Sequence, residues 1–441
     1  MKVLYNGKII TFNVEQPYID NGAIVIENGA IKDLGITQQI LSKYKNAELY
    51  NLENRYVIPG FINTHMHLYS TFARGFGFGG ASPYTFKEIL EQIWWKLDKL
   101  LDTEEEIYYS ALMPAIEGLK SGTTTIIDHH ASFGLIDGSL DILEKALKDV
   151  QIRGVLAYET SDRWGKELSQ KSIRENERYI KKEKDKDFFN ALFGLHASFT
   201  LENDTLEEVA SIGNSLNVGF HIHVAEGIED VEHAQRVANK RTVERLNDFG
   251  ILKRDTLAIH CININEKEIE ILRQTETTVI HNPESNMNNG VGVAPILEMD
   301  KKGILIGLGT DGYTPSMIES VKVAYILPKL HHRDPRVGSD LARRMLFENN
   351  ASIANRFFNR ELGVIKVGAY ADLVVLDYNP PTPLDENNFF FHLIFGIRDN
   401  AVKDVFVHGE LLVKDQKLTK IDEVEVSKKS QEVAQKFWRK F

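Results

Sequence analysis

Two histidines one residue apart, His65 and His67, close the apolar run Val57-Ile58-Pro59-Gly60-Phe61-Ile62-Asn63-Thr64. Alternate residues of a strand face the same way, so a strand ending here projects both imidazoles side by side, as a metal-binding pair requires. Alone, the motif carries little weight. The 14 histidines in 441 residues give roughly 0.4 His-x-His pairs by chance, the ordinary false-positive risk of a short motif. The downstream chain gives the pair its meaning. His129 and His130, Glu159, His196, His223 with Glu226, His260, His281 and Asp311 each stand at or just beyond the end of a further apolar segment. Packing alone favours Val, Ile or Ala there, so the recurrence points to one shared polar site. His223 in Phe220-His221-Ile222-His223 is the third candidate ligand, and Asp311 in Gly309-Thr310-Asp311-Gly312 the fourth. Three imidazoles and a carboxylate suit Zn²⁺ and also Fe²⁺, Mn²⁺ or Co²⁺.

The segments that must position these groups are Val57–His67, Thr123–His130, Gly154–Thr160, Ala191–Phe199, Val218–Glu226, Thr256–Cys261, Thr277–Pro283 and Ile304–Asp311. All are near-continuously apolar, as strands buried on both faces should be. Amphipathic stretches separate them, Tyr84–Leu101 and Glu104–Lys120 most clearly. Eight β-then-α units predict an α/β fold, a (β/α)₈ barrel over residues 57–365, with its active site at the C-terminal strand ends. Residues 1–56 and 366–441 have another texture, short strands punctuated by Asn6-Gly7, Asn21-Gly22, Asn28-Gly29 and His408-Gly409. Asn-Gly between strand-like runs signals hairpins. The two ends together predict one small β-sandwich domain, with Val433, Phe437 and Phe441 on a C-terminal docking helix. The glycine-rich segment Arg74–Gly80 lacks the Lys-Ser/Thr of a phosphate loop and reads as a mobile lid.

A net charge of −11 argues against a nucleic-acid partner. One cysteine, Cys261, excludes an internal disulfide and fits a reducing compartment. No signal-like segment and no run of 18 apolar residues is found, so the expectation is a cytoplasmic protein without a membrane partner. A homodimer is compatible with the sequence and not required by it.

Five motifs in order resemble the amidohydrolase superfamily: Pro-Gly-Phe-Ile-Asn-Thr-His-Met-His at 59–67, His-Val-Ala-Glu at 223–226, Ala-Ile-His-Cys at 258–261, His-Asn-Pro-Glu-Ser-Asn at 281–286 and Leu-Gly-Thr-Asp-Gly at 308–312. Val367-Gly368-Ala369-Tyr370-Ala371-Asp372-Leu373 is similar to that family's return into its β-domain. The closer resemblance is to the branch of cytosine, guanine and S-adenosylhomocysteine deaminases and triazine hydrolases. Ile127–Ser132, Glu159–Arg163 and Asn286–Asn289 resemble the SsnA-type aminohydrolases linked to selenium metabolism. The resemblance implies that Glu226 is a proton shuttle, that His260 contacts the metal-bound water, and that Asp311 both binds metal and accepts the water's proton. It also implies one metal ion, because two-metal members carry a bridging lysine at the fourth strand's end. This chain has Gly194-Leu195-His196-Ala197-Ser198 there, and Lys182, Lys184 and Lys186 precede the strand.

The expected activity is therefore hydrolytic deamination of an aminated nitrogen heterocycle, with guanine as the first guess, by a divalent ion that is zinc in the first instance, or iron. The same site hydrolysing an amide, an imidazolone or a C–Cl bond is the nearest alternative, and an inactive binding or assembly protein a more distant one. Expected substrate contacts are His196, Arg163, His281 and Asn286. For Arg163 the competing reading is an ion pair with a nearby acid. His221 shares His223's face one layer deeper and reads as barrel interior, His129 and His130 as a structural or substrate-contacting pair. Cys261 and one of Trp94 and Trp95 are expected in the core, and His331-His332 on the surface.

Overall fold

The computed structural model describes residues 1–77 and 82–441. Its parallel strands follow the chain: Phe61–Met66, Thr123–His130, Arg153–Tyr158 and Phe189–Ala191 form one sheet, and Phe193–Ala197, Phe220–Val224, Leu257–His260, Thr278–His281 and Ile306–Leu308 another. Single parallel bridges join the two sheets, Thr160 to Leu195 at one seam and Met66 to Asp311 at the other. Nearly every residue of these strands is buried, which is why their sequences run apolar rather than alternate. Helices such as Glu104–Lys120 and Ser139–Val150 cover the outside. The first is capped by the Thr103 hydroxyl, which accepts from the Glu106 N–H at 3.3 Å, with Glu104, Glu105 and Glu106 facing its positive end.

A nine-stranded sheet draws on both ends of the chain; along its path Tyr56–Pro59 lies between Lys2–Ile10 and Leu373–Leu376. The segment read as one strand, Val57–His67, is thus shared between two sheets. The switch takes a single peptide: the Gly60 N–H donates to the Asp372 carbonyl at 2.9 Å, the Phe61 N–H to the Gly122 carbonyl at 2.9 Å. Of the three Asn-Gly pairs in the N-terminal segment only Asn28-Gly29 makes a hairpin turn, with Glu27 opposite Ala30 and both turn residues at positive φ (50° and 74°). His408-Gly409 does the same between Val407 and Glu410. Asn6-Gly7 and Asn21-Gly22 instead sit inside long strands, where Gly7 pairs with Gly22 and the register shifts on both sides. They are bulges.

The C-terminal helix Glu423–Trp438 buries Val433 and Phe437 as its spacing predicts. Its Phe437 ring lies 5.6 Å from Phe72, and Phe441 lies 4.6 Å from Phe76, at the start of the glycine-rich segment. Residues 78–80, the rest of the expected lid, lie outside the described residues. Among the described residues no helix is long and apolar enough to cross a membrane.

Candidate metal centre and active site

His65 lies at the end of its strand with His67 directly after it, held by hydrogen bonds across the second seam. The Thr310 and Asp311 N–H groups donate to the His65 carbonyl at 2.9 and 3.0 Å. Gly309 is required there, since a Cβ would fall 2.7 Å from the His65 carbonyl oxygen and 2.5 Å from Asn282 Oδ1. The His67 Nδ1–H donates to the carbonyl of His129 at 2.6 Å, and the His223 Nδ1–H to that of His196 at 2.8 Å. With both Nδ1 atoms so engaged, the two Nε2 atoms meet 3.1 Å apart. Two lone pairs at that distance repel unless a proton or a metal ion lies between them. Asp311 Oδ1 completes the group at 3.2 Å from His67 Nε2 and 3.7 Å from His65 Nε2.

Electrostatics agree with a cation site. Burial drives His65 down to about 3 and His223 well below the usual imidazole range. Burial opposes charge on His67 too, but hydrogen bonding and attraction to Asp311 outweigh it and raise it to about 9. Asp311, despite its own burial, is held well below the carboxylate range by His65 and His67. The cluster thus favours one proton on His67 beside an ionised carboxylate, a proton that a metal ion binding there would displace. His65 Nε2 is buried and makes no hydrogen bond among the described residues. His65, His67 and His223 offer ligand atoms within 4.8 Å of one another, as do His65, His260 and Asp311. The residues fit a divalent ion with nitrogen and oxygen ligands.

Beside this cluster stand Glu226 and His260. His260 Nε2 lies 3.4 Å from both Glu226 Oε2 and Asp311 Oδ2, and its Nδ1–H donates to Asn286 Oδ1 at 2.7 Å. Burial pushes the Glu226 carboxyl up to about 7, and Oε1 accepts from Asn289 Nδ2 at 3.3 Å. His260 (φ 72°), Asp311 (φ 57°) and Ala225 (φ 48°), which precedes Glu226, adopt left-handed backbone. Such conformations cost of order 1–3 kcal/mol each in non-glycine residues and gather where function over-determines the geometry. The Ala225 N–H donates to buried Asp230 at 2.8 Å, which fixes the turn presenting Glu226.

These groups open into a cavity lined by His67, His223, Glu226 and Asp311 together with Trp94, Trp95, Phe199 and His196. Of the four expected substrate contacts, His196 alone lines it. Asn286 and His281 are fully buried beneath; Asn286 orients His260 and does not reach the cavity. Arg163 takes the ion-pair alternative, because its guanidinium contacts the Asp98 carboxylate, lies 2.6 Å from Glu159 and stacks over Phe133 at 4.7 Å. Trp94 and Trp95 both line the cavity, where one was expected in the core. A π-helical turn over Leu90–Trp94 changes the angular spacing that an ordinary helix would impose.

His221 is interior, as read. His129 is also structural, with Nε2 3.0 and 3.1 Å from the carbonyl oxygens of Leu195 and His221, and His130 meets the Ser132 hydroxyl at 2.9 Å. The cavity wall contributed by Glu159, Asp98, Asn288 and Asn289 was missed as such; Glu159 alone carried a signal, its strand-end position. Lys182 is spent on Asp141 (2.6 Å) and Glu144 (2.7 Å).

The amidohydrolase family model matches residues 56–412. The chain is 32% identical to the 5'-deoxyadenosine deaminase of Methanopyrus kandleri, over 97% of each chain. It is 30% identical to the 5-methylthioadenosine/S-adenosylhomocysteine deaminase of Syntrophomonas wolfei, over 98% of each. The fold matches a zinc-bound adenosine deaminase from Xanthomonas campestris with a TM-score of 0.86, at 20% identity over 99% of this chain and 98% of that one. A family match over most of the sequence, two full-length relatives and a histidine-carboxylate cluster at the ends of parallel strands make this chain a member of the amidohydrolase family, a hydrolase of carbon–nitrogen bonds.

Proposed function

We propose that the two parallel sheets act as one (β/α)₈ barrel, and that His65, His67, His223 and Asp311 hold a single divalent ion, zinc in the first instance, for hydrolytic deamination of an aminated purine. An ion in that position would supply a water acidic enough to furnish hydroxide near neutral pH. Asp311 accepts the proton of the attacking water, and His260, poised between Asp311 and Glu226, orients that oxygen. Glu226 gives its proton to the ring nitrogen beside the amino-bearing carbon as the water oxygen adds to that carbon. The proton taken from water then passes to the amino group, which leaves as ammonia, while the hydroxyl proton returns to Glu226 as the C=O bond forms, so substrate and water yield the oxo product and ammonia with both carboxyl groups restored. A carboxyl near 7 can both give and take a proton at neutral pH.

The carrying observation is the Glu226–His260–Asp311 chain, 3.4 Å at each step, beside the converging ligands at the foot of an aromatic-walled cavity. The relatives' names favour adenine nucleosides with an uncharged or modified 5' position over guanine, so the adenine class replaces the first guess. Trp94, Trp95 and Phe199 supply flat apolar surface for a base. The test is ammonia release by zinc-replete protein from 5'-deoxyadenosine, 5-methylthioadenosine, S-adenosylhomocysteine, adenosine, guanine and a triazine. At least one adenine nucleoside should reach kcat/KM above about 10⁴ M⁻¹s⁻¹. Turnover confined to guanine, triazines, amides or imidazolones would refute the assignment.

A further inference from the structure

His221 stands two residues before His223 on the same strand face, one layer below the ligands, and is fully buried. It belongs to none of the donor groups that converge within 4.8 Å. Its Nε2 lies 2.8 Å from Nδ1 of His65, the rings at 74° with centroids 5.0 Å apart. Two ring nitrogens so close share one hydrogen, which couples the tautomers of the two imidazoles. Neutral rings allow two arrangements. If His65 carries its hydrogen on Nδ1 and donates to His221, its Nε2 lone pair is free toward His67, His223 and Asp311. If His221 donates from Nε2, the hydrogen of His65 must sit on Nε2 and blocks the lone pair. Only the first arrangement can hold a cation.

We propose that His221 is a positioning residue for the metal ligand His65: by accepting the Nδ1–H it selects the tautomer and ring orientation that turn Nε2 toward the ion. The proposal rests on the metal reading of the site. His67 and His223 receive the same service from backbone carbonyls at 2.6 and 2.8 Å, groups that can only accept. His65 alone depends on a side chain, and on one able to donate as well. His221 Nδ1, which carries the hydrogen in the binding-competent arrangement, has no partner among the described residues, so no other contact there fixes its tautomer. The ring is held in place by packing against His129, 4.7 Å away and edge-on at 77°. Such outer partners of metal-ligating histidines typically contribute 10–100-fold in metal affinity.

The experiment is Zn²⁺ affinity of the full chain, by competition with a chromogenic chelator, for wild type, His221→Phe, His221→Gln and His221→Asn, with the melting temperature of each metal-stripped protein as the fold control. Phe fills the space and removes the acceptor. Gln places an amide oxygen near the position of Nε2, and Asn is too short to reach His65. Phe and Asn should lose about 10–100-fold in affinity, and Gln should recover most of it. Should Phe fail to fold, the Gln–Asn pair decides alone. Wild-type affinity in Phe or Asn, or equal losses in Gln and Asn, would overturn the proposal. A wild-type protein that binds no zinc tightly would instead refute the metal reading itself, a distinguishable result.

Discussion

At the N-terminal ends of the parallel strands Arg153 is fully buried and all three guanidinium nitrogens are engaged. One meets the Asp372 carboxylate, another donates to the Asp187 carbonyl at 2.8 Å, and the third lies 3.3 Å from His408 Nδ1, with Tyr370 stacked at 4.1 Å. At the C-terminal ends the burial is similar and the bonding opposite. His65 Nε2 and His260 Nε2 make no hydrogen bond among the described residues, with only carboxylate oxygens 3.4–3.7 Å away, and His67 Nε2 faces His223 Nε2. Buried polar groups are almost always satisfied. A satisfied buried charge therefore ties the parallel strands to the terminal β-sheet, whereas the candidate ligand atoms converge without hydrogen bonds, as the proposed cation site requires. The contrast sorts buried polar residues into two kinds without reference to any relative, and it can be broken by mutation.

The largest effect is expected at the unsatisfied end. Glu226→Gln should cut kcat by about 10²–10⁴-fold, the usual result of removing a general acid–base group, while zinc content stays at one ion per chain. Stability should hold or rise, because a carboxyl pushed up to about 7 by burial is costly to ionise and Gln is not. Near-wild-type kcat would remove Glu226 from the chemistry, and two ions per chain would end the single-metal reading.

At the satisfied end the readouts should exchange. Asp372→Ala leaves Arg153 buried and uncompensated, which typically costs about 3–5 kcal/mol. Denaturant unfolding should show that loss, while kcat and zinc content of the folded fraction stay unchanged. Equal damage to zinc binding would mean that the two ends are coupled and the contrast is false. Metal removal should have a somewhat smaller effect on stability: zinc held at 100 times its dissociation constant stabilises the folded chain by about 2.7 kcal/mol. Chelation should abolish turnover and lower the melting temperature, and re-addition should restore both.

How much of this was legible in the sequence obeys the same division. The proposed metal ligands stood out because a histidine at the end of an apolar strand contradicts local packing, and strand periodicity says which way it points. The helix Glu104–Lys120 was equally plain, since cap, acidic first turn and apolar stripe all agree. Contacts chosen between distant loops were not legible. Arg163 could be placed past its strand, but nothing local says that Asp98, on another element, claims its guanidinium. Asn286 and His281 were read as facing the substrate from their place at a strand end; the short helix Pro283–Asn288 turns Asn286 inward onto His260. Asn6-Gly7 and Asn21-Gly22 carry a hairpin's residues, and only their pairing across the sheet makes them bulges. The π turn over Leu90–Trp94, beside which Trp94 and Trp95 both line the cavity, left no mark in an amphipathic pattern read at ordinary helical spacing.

Asp230 combines both kinds of buried group. Its Oδ2 accepts the Ala225 N–H at 2.8 Å, whereas Oδ1 has no partner among the described residues. Burial pushes its carboxyl from the ordinary 3.8 up to about 7. Between those values the folded chain keeps a proton that the unfolded chain has lost, so stability from this group is full below about pH 4 and falls as pH rises towards 7. Asp230→Asn keeps an acceptor for Ala225 and removes the ionisation, so its effect on turnover should be small. In metal-stripped protein the stability of the variant relative to wild type should climb from pH 4 to pH 7 and level off above. Urea titrations of both proteins across that pH range measure this directly. A difference that is flat with pH would mean that Asp230 titrates as an ordinary carboxylate. It would then stand with Asp372 among the satisfied groups, despite lining the cavity beside Glu226.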